Sequence, residues 1–285
     1  MRGVRVCLCL LLLAALVESP KAAIGTLGVS TAFRVGPHHE PIVEVEVNGS
    51  GPFLFILDTG STHTSIGDRL AAILDTPAVA KTNVTTSLGD TVQPVVRLDR
   101  LAIGPVVASD VLATEVSEHD LDTNDEIHGV LGQDILSGLV YTLDFAARRV
   151  EWNSRTPPPA QSSILTLRDA RGRFLAELPQ HGSTLWLVPD SGAEGLVLYE
   201  RPSVKLPPLT RHPGHLWLST LSDRQAVETA RVEELRVGRT NLTDVPAVLV
   251  KRSDADASSG DGLLPVAMFT RVTFDGPGRR LTVEP

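Results

Sequence analysis

Two acidic residues stand in matching four-residue motifs. Asp58-Thr59-Gly60-Ser61 returns, 132 positions later, as Asp190-Ser191-Gly192-Ala193. Each copy follows a strand-like apolar run: Phe53-Leu54-Phe55-Ile56-Leu57 before the first, Leu185-Trp186-Leu187-Val188-Pro189 before the second. One Asp-Thr-Gly would be an ordinary turn, because Asp and Gly both favour turns. Two in one longer frame imply two halves of a fold, each bringing a carboxylate to a shared site. The chemistry open to such a pair is water activation. Held about 3 Å apart, both acids cannot ionise together, so one keeps a proton near neutral pH. The ionised acid then serves as general base on a water, and the protonated one donates to an amide carbonyl. Gly60 and Gly192 let the chain turn where a side chain would block the approach of the twin acid.

The elements that must position these acids repeat as well. A strand pair around a turn follows each motif, over Asn83 to Val96 and over Leu216 to Thr229. Val95 to Gly104 parallels Ala230 to Gly238, and His128-Gly129-Val130-Leu131-Gly132 parallels Asp261-Gly262-Leu263-Leu264-Pro265. Each half closes alike, with Thr142 to Val150 matched by Thr273 to Leu281. The register between matched positions hardly drifts, which is the mark of duplication. Pro157-Pro158-Pro159-Ala160-Gln161-Ser162-Ser163 is linker chemistry. The chain therefore divides into a leader at 1–23, a lobe at 24–155, a linker at 156–163 and a lobe at 164–285. Ile42-Val43-Glu44-Val45-Glu46-Val47 alternates cleanly, the period of a half-buried strand. Helical patterns are few and short, at Gly67 to Leu74 and Asp134 to Ser137. The class is all-β, two lobes of short strands.

Composition narrows the rest. The 285 residues are 42% hydrophobic, enough for real cores, and the formal net charge is -8. A nucleic-acid binder would need a basic face, so that class is set aside. Arg2 and Arg5 precede an apolar run of twelve, Val6 to Val17. The run is too short to span a bilayer and suits an export signal. Export to a periplasm or the outside is the expectation, with an uncleaved N-terminal anchor as the alternative, since Pro20 and Lys21 stand where small residues are preferred. Cys7 and Cys9 both lie in the run. Cleavage would leave a protein without disulfides, held by its core alone, and a bacterial envelope fits that. No other segment is long and apolar enough to cross a membrane. Sequons at Asn48, Asn83 and Asn241 matter only in a eukaryotic source.

With these residues in place, the chain resembles the pepsin-like and retropepsin-like aspartic peptidases over nearly all of Glu40 to Pro285. Three elements carry the likeness. Val45 to Ile66, turning at Asn48-Gly49-Ser50-Gly51-Pro52 into the strand ahead of Asp58, resembles a retropepsin-type hairpin. Val130-Leu131-Gly132 with Gln133-Asp134-Ile135-Leu136 resembles the strand and short helix behind the catalytic loop. The second half repeats both elements. Retropepsins are homodimers of one such unit and pepsins carry two in one chain; this chain looks like a compact single-chain version. The resemblance implies a bilobed all-β fold with Asp58 and Asp190 at the cleft floor. It implies endopeptidase cleavage by activated water, with no metal and no cofactor. Thr59 and Ser191 would cross-link the two loops. Leu88-Gly89-Asp90, about 30 residues past Asp58, would form the flap, with Gly89 letting its tip move. The expected partner is an extended peptide or protein substrate lying in the cleft as an added strand, and the expected state is a monomer.

Further expectations concern asymmetry. Ser61 offers a hydroxyl to Asp58 where Ala193 offers Asp190 none. A hydrogen bond to a charged carboxylate lowers its pKa, so Asp58 is expected to be the ionised member. Pro189 and Pro265 break the pattern of the second half, either as tolerated edge positions or as bends that misplace Asp190. Two rival readings follow: a peptide-binding protein of the same fold that has lost turnover, and a dimer of first lobes. His63 reads as a cleft-edge or surface residue. His38-His39-Glu40 lacks further ligands at metal spacing. His212 and His215 read as loop. Asp254 to Gly262 reads as an exposed loop rather than a calcium loop. No Gly-x-Ser-x-Gly, phosphate loop or dinucleotide fingerprint is present.

Overall fold

The computed structural model describes residues 4–5, 11–12, 21–24, 28–85, 90–121, 126–154, 156–219, 224–254 and 260–285. Strands dominate them. Pro41–Val47 and Ser50–Leu57 form a hairpin whose Asn48 and Gly49 take φ of 51° and 79°. A two-residue connection needs left-handed backbone at both positions, and Asn-Gly supplies it with little strain. Val43, Val45 and Val47 are buried while Glu44 and Glu46 face outward, as the alternation predicts. Ser50–Leu57 delivers Asp58 at its end. Behind it runs Gly129–Leu131, parallel, with Phe55 opposite Gly129 and Leu57 opposite Leu131. The glycine is required there: a Cβ on Gly129 would fall 2.2 Å from the Phe55 ring.

The second half repeats the arrangement. Phe174–Gln180 and Ser183–Asp190 pair as a hairpin, and Gly262–Pro265 runs parallel behind, from Leu187 opposite Gly262 to Asp190 opposite Pro265. Each half also raises a long hairpin, Ala78–Thr85 with Asp90–Ile103 and Leu209–Ser219 with Arg224–Val237. Of the expected flap, Asp90 pairs with Thr85. Leu88 and Gly89 lie outside the described residues, as do Leu221, Ser222 and Asp223 in the second hairpin.

The first-half strands make a 10-stranded sheet. The second half lies in a 14-stranded one that continues through strands of both halves, in the order Ser163–Asp169, Arg280–Glu284, Arg271–Asp275, Val140–Asp144, Arg149–Trp152, Ser30–Ala32. At its middle the matched closing segments meet antiparallel. Thr142 and Thr273 face each other with hydroxyl oxygens 2.8 Å apart, and Tyr141 stacks on Phe274 at 5.1 Å. The duplication seen in the sequence is thus repeated in space, the matched closing segments pairing directly with each other.

Helices are short, as expected. Asp68–Ile73 and Gln133–Leu136 fall on the predicted segments. Glu118–Leu121 is unanticipated, because four polar-rich residues show no period. Buried Glu118 accepts the Leu70 N–H at 3.1 Å, satisfying a free donor at the start of Asp68–Ile73 that Gly67 cannot cap. Short strands of the N-terminal segment lie along both long hairpins: Leu11–Leu12, within the apolar run, against Val84 and Thr85, and Val4–Arg5, just before it, against Leu218 and Ser219. Among the described residues no helix is long and apolar enough to cross a membrane.

Candidate active site

Asp58 and Asp190 end their hairpin strands and are both 0% exposed. The loops that hold them are bonded reciprocally. Thr59 N–H donates to Ser191 Oγ at 2.9 Å, and Ser191 N–H donates to Thr59 Oγ1 at 3.0 Å. Each hydroxyl then donates onward, Thr59 to the Pro189 carbonyl at 2.7 Å and Ser191 to the Leu57 carbonyl at 2.6 Å. Every one of these four bonds joins the two halves, and each acceptor carbonyl belongs to the residue just before the opposite acid. A short hydroxyl can accept and donate through one oxygen, which is what Thr and Ser do at these positions. Pro189 lies past Leu187, the last residue of its strand paired with Phe174–Gln180, so its missing N–H is tolerated and its carbonyl remains useful. Pro265 ends its strand and heads the short turn Val266–Met268. Its counterpart Gly132 must be glycine, since a Cβ there would lie 2.4 Å from the His63 backbone.

The carboxylates themselves sit back to back with the loops. Asp58 Oδ1 accepts the N–H of Gly60 at 2.8 Å and of Ser61 at 3.2 Å; Asp190 Oδ1 accepts Gly192 N–H at 2.8 Å. A Cβ on Gly60 would stand 2.4 Å from the Asp190 Cγ, so the Asp190 carboxyl rests on the face of Gly60. Burial, and after it the charge of Asp190, push the Asp58 pKa well above the usual carboxylate range. The two backbone donors pull it down and lose. Asp58 Oδ2 has no partner of good hydrogen-bond geometry among the described residues, although Asp190 stands close enough to raise Asp58 further through a shared proton.

This corrects the expected asymmetry. The Ser61 hydroxyl does not reach Asp58; it donates to the His63 carbonyl at 2.9 Å, and only the Ser61 backbone serves Asp58. The hydroxyl argument for an ionised Asp58 therefore falls, and burial with the Asp190 charge raises the Asp58 pKa. His63 is half-buried, consistent with a cleft-edge position rather than open surface, and burial lowers its pKa to about 4.

Three residues support the first loop: Gln133 and Asp134, expected only as part of the short helix behind it, and Thr64, which the sequence reading did not name. Gln133 Nε2 donates to the Thr59 carbonyl at 2.7 Å, and the N–H groups of Gln133 and Asp134 donate to the carbonyls of Ser61 and Thr62. Thr64 Oγ1 donates to Asp134 Oδ1 at 2.9 Å. The signal available was position alone, directly after Val130-Leu131-Gly132. The second half has Val266 and Ala267 in the matching places and no such support.

Burial raises the Asp134 pKa to about 6, outweighing the Thr64 and Ile135 hydrogen bonds that lower it. A carboxyl whose folded pKa is raised contributes stability below its unfolded pKa, and that contribution is lost as pH rises through the folded value. Asp134→Asn is expected to flatten the fall in stability between about pH 4 and pH 6, by on the order of 1–2 kcal/mol after allowing for its partial exposure. Denaturant melts at pH 4, 5 and 6.5 on both proteins check this.

The remaining motifs fall elsewhere. His38 Nδ1 lies 3.2 Å from Glu194 Oε2, a contact between the first half and the second motif loop. Among the described residues no group of three or more His, Cys, Asp or Glu gathers as metal ligands. Asp261 is not in an exposed loop; it is buried and ion-paired to Arg201. Residues 255–259 of that stretch lie outside the described residues.

The family model for aspartyl protease matches the chain twice, over residues 43–135 and 177–266. The two segments make up more than half of the sequence, and the protein belongs to the aspartyl protease family. Its fold is the bilobed all-β fold of that class, two similar retropepsin-like lobes in one chain. Among solved structures, a retropepsin-like aspartic protease from Rickettsia conorii is similar over 43% of this chain and 86% of its own, at 15% identity and a TM-score of 0.28. Basic 7S globulin from soybean is similar over 92% of this chain and 97% of its own, at 10% identity and a TM-score of 0.48. No curated protein matches the sequence.

Proposed function

We propose that the protein is an aspartic endopeptidase in which Asp58 and Asp190 share one proton and activate a water against a peptide bond. The observation that carries this reading is the reciprocal bonding of Thr59 and Ser191, which ties the two acid-bearing loops to each other. Asp58 Oδ2, which lacks a well-formed hydrogen bond among the described residues, is our choice for the oxygen that bonds the water or the carbonyl oxygen of the substrate. With one proton on the pair, the ionised oxygen takes a proton from water as its oxygen attacks the carbonyl carbon. The protonated carboxyl donates to the carbonyl oxygen, giving a tetrahedral diol. Collapse returns a proton to the leaving nitrogen, and no covalent enzyme intermediate forms. One chain supplies both acids, so a monomer suffices.

Extended substrate backbone fits the two long hairpins. Val84 and Thr85 pair with Leu11–Leu12, and Leu218 and Ser219 with Val4–Arg5, of this chain's own N-terminal segment, and strand addition gives affinity through main-chain bonds. Turnover of a peptide library across pH, inhibited by a statine-type transition-state mimic, tests the proposal. A bell-shaped profile is expected, since turnover needs one proton on the pair and is lost when the pair holds two or none. Tight peptide binding without turnover would favour a binding protein of the same fold instead.

Gly60→Ala is a sharper check on geometry. The added Cβ must displace the Asp190 carboxyl on which it would intrude, and misplacement by about 1 Å costs about 10²-fold in rate. The drop is expected in kcat, with KM little changed.

A further inference from the structure

The second half carries another concave site, away from the paired acids, and its walls are cationic. A cavity of about 350 Å³ is lined in part by Arg168, Trp186, Arg201, Ser203, Lys205 and Asp261. Arg201 is its buried member: the side chain is 2% exposed, and its Nη2 donates to Asp261 Oδ1. The other Asp261 oxygen is taken by the Trp186 N–H at 2.8 Å. Arg201 Nε and Nη1 are left without an acceptor among the described residues. A guanidinium presents five N–H donors in a rigid planar fork. Buried donors left unpaired are destabilising, so each calls for an explanation. An acceptor from outside the chain is one.

Charge decides what that acceptor is. Arg201 and Asp261 cancel, which leaves Arg168 and Lys205, both exposed. Arg168 is held over the Trp186 ring, its Cζ 4.3 Å from the centroid, so its charge stays at the wall. Lys205 Nζ folds back toward Gly182, within 3.3 Å of where a Cβ would stand. Asp254, which accepts the N–H and hydroxyl of Ser203, keeps its negative charge at the rim, so the balance there is one net positive charge.

We propose that this cavity binds an oxyanion, a phosphate or carboxylate group, through the free N–H groups of Arg201 and the charges of Arg168 and Lys205. A two-oxygen anion matches the guanidinium fork. Trp186 precedes Asp190 by four residues on one strand, a distance of roughly 13 Å at strand rise. Asp261 leads directly into Gly262–Pro265, the strand paired behind it. A ligand here therefore braces the two strands that end under Asp190 without entering the cleft. The group could be a free ion or an acidic side chain of a protein docked outside the cleft.

The test is a titration of the full chain with sodium phosphate against sodium chloride at fixed ionic strength. Calorimetry and tryptophan fluorescence read binding, and a parallel series uses a blocked tri-glutamate peptide. The proposal expects saturable phosphate or peptide binding in the millimolar range or tighter, absent in chloride. Binding of the peptide in preference to phosphate assigns an acidic protein segment; binding of phosphate alone assigns a free ion. Lys205→Glu and Arg168→Glu, both at exposed positions, are expected to weaken binding at least tenfold; Lys205→Glu leaves the ligand-free unfolding temperature unchanged, and Arg168→Glu lowers it slightly by losing the contact with Trp186. Absence of binding by both probes, or wild-type binding in both variants, overturns it.

Discussion

Asp58→Asn and Asp190→Asn are each expected to lower peptide turnover by about 10⁴-fold, the upper range for removing a general acid or base. Both losses are needed. A fall in Asp58→Asn alone would mean that the second half is scaffold and that first halves act as a dimer. The same substitutions should make the protein more stable at neutral pH, because the native fold buries two acids that repel each other. The sign follows from linkage. Burial and Asp190 raise the Asp58 pKa in the fold, so its contribution to stability is fullest below the ordinary carboxylate pKa. That contribution is lost as pH rises through the raised value. Asn in place of Asp58 removes this dependence. Thermal melts at pH 4 and pH 8 should therefore differ less in the variant than in the natural protein, the remaining difference coming from groups such as Asp134. Activity lost and stability gained together would mark strain kept for function.

Ser191→Ala and Thr59→Val carry the second large effect. Removing the Ser191 hydroxyl leaves the Thr59 N–H and the Leu57 carbonyl buried and unpaired; removing the Thr59 hydroxyl does the same to the Ser191 N–H and the Pro189 carbonyl. Two orphaned backbone groups cost roughly 3 kcal/mol, which is roughly 8 °C in unfolding temperature for a protein of this size. Turnover should fall with them, because the bonds that set the spacing of the acids are the ones removed. Ser191→Thr keeps the hydroxyl and is the control, since Thr59 already fills the matching place. Unfolding temperature and kcat measured on all three variants decide the matter.

Much of this was legible because duplication writes the same instruction twice. The Asp-x-Gly frames, the Val-Leu-Gly behind the first and the matched closing segments are local patterns, and Thr142 meeting Thr273 is the same repeat seen in space. The illegible parts are those where side chains choose among nearby partners. Ser61 had Asp58 and the His63 carbonyl within reach, and composition cannot tell which it takes. Gln133 and Asp134 were read as helix, and their bonds to Thr59 and Thr64 depend on how that helix docks. Asp261 looked like loop because its partner Arg201 lies 60 residues away. Long-range pairing of buried charges leaves no period in a sequence.

The central claim is that the acids of the two halves hold one proton between them. Carbon-13 NMR of the aspartate carboxyl carbons across pH, in the natural protein and in Asp190→Asn, measures it directly. Expected are one carboxyl of the pair still protonated at pH 7 and a two-step titration, with Asp58 in the variant titrating once and at lower pH. Two carboxyls both ionised at pH 7, titrating independently in the ordinary carboxylate range, would contradict it.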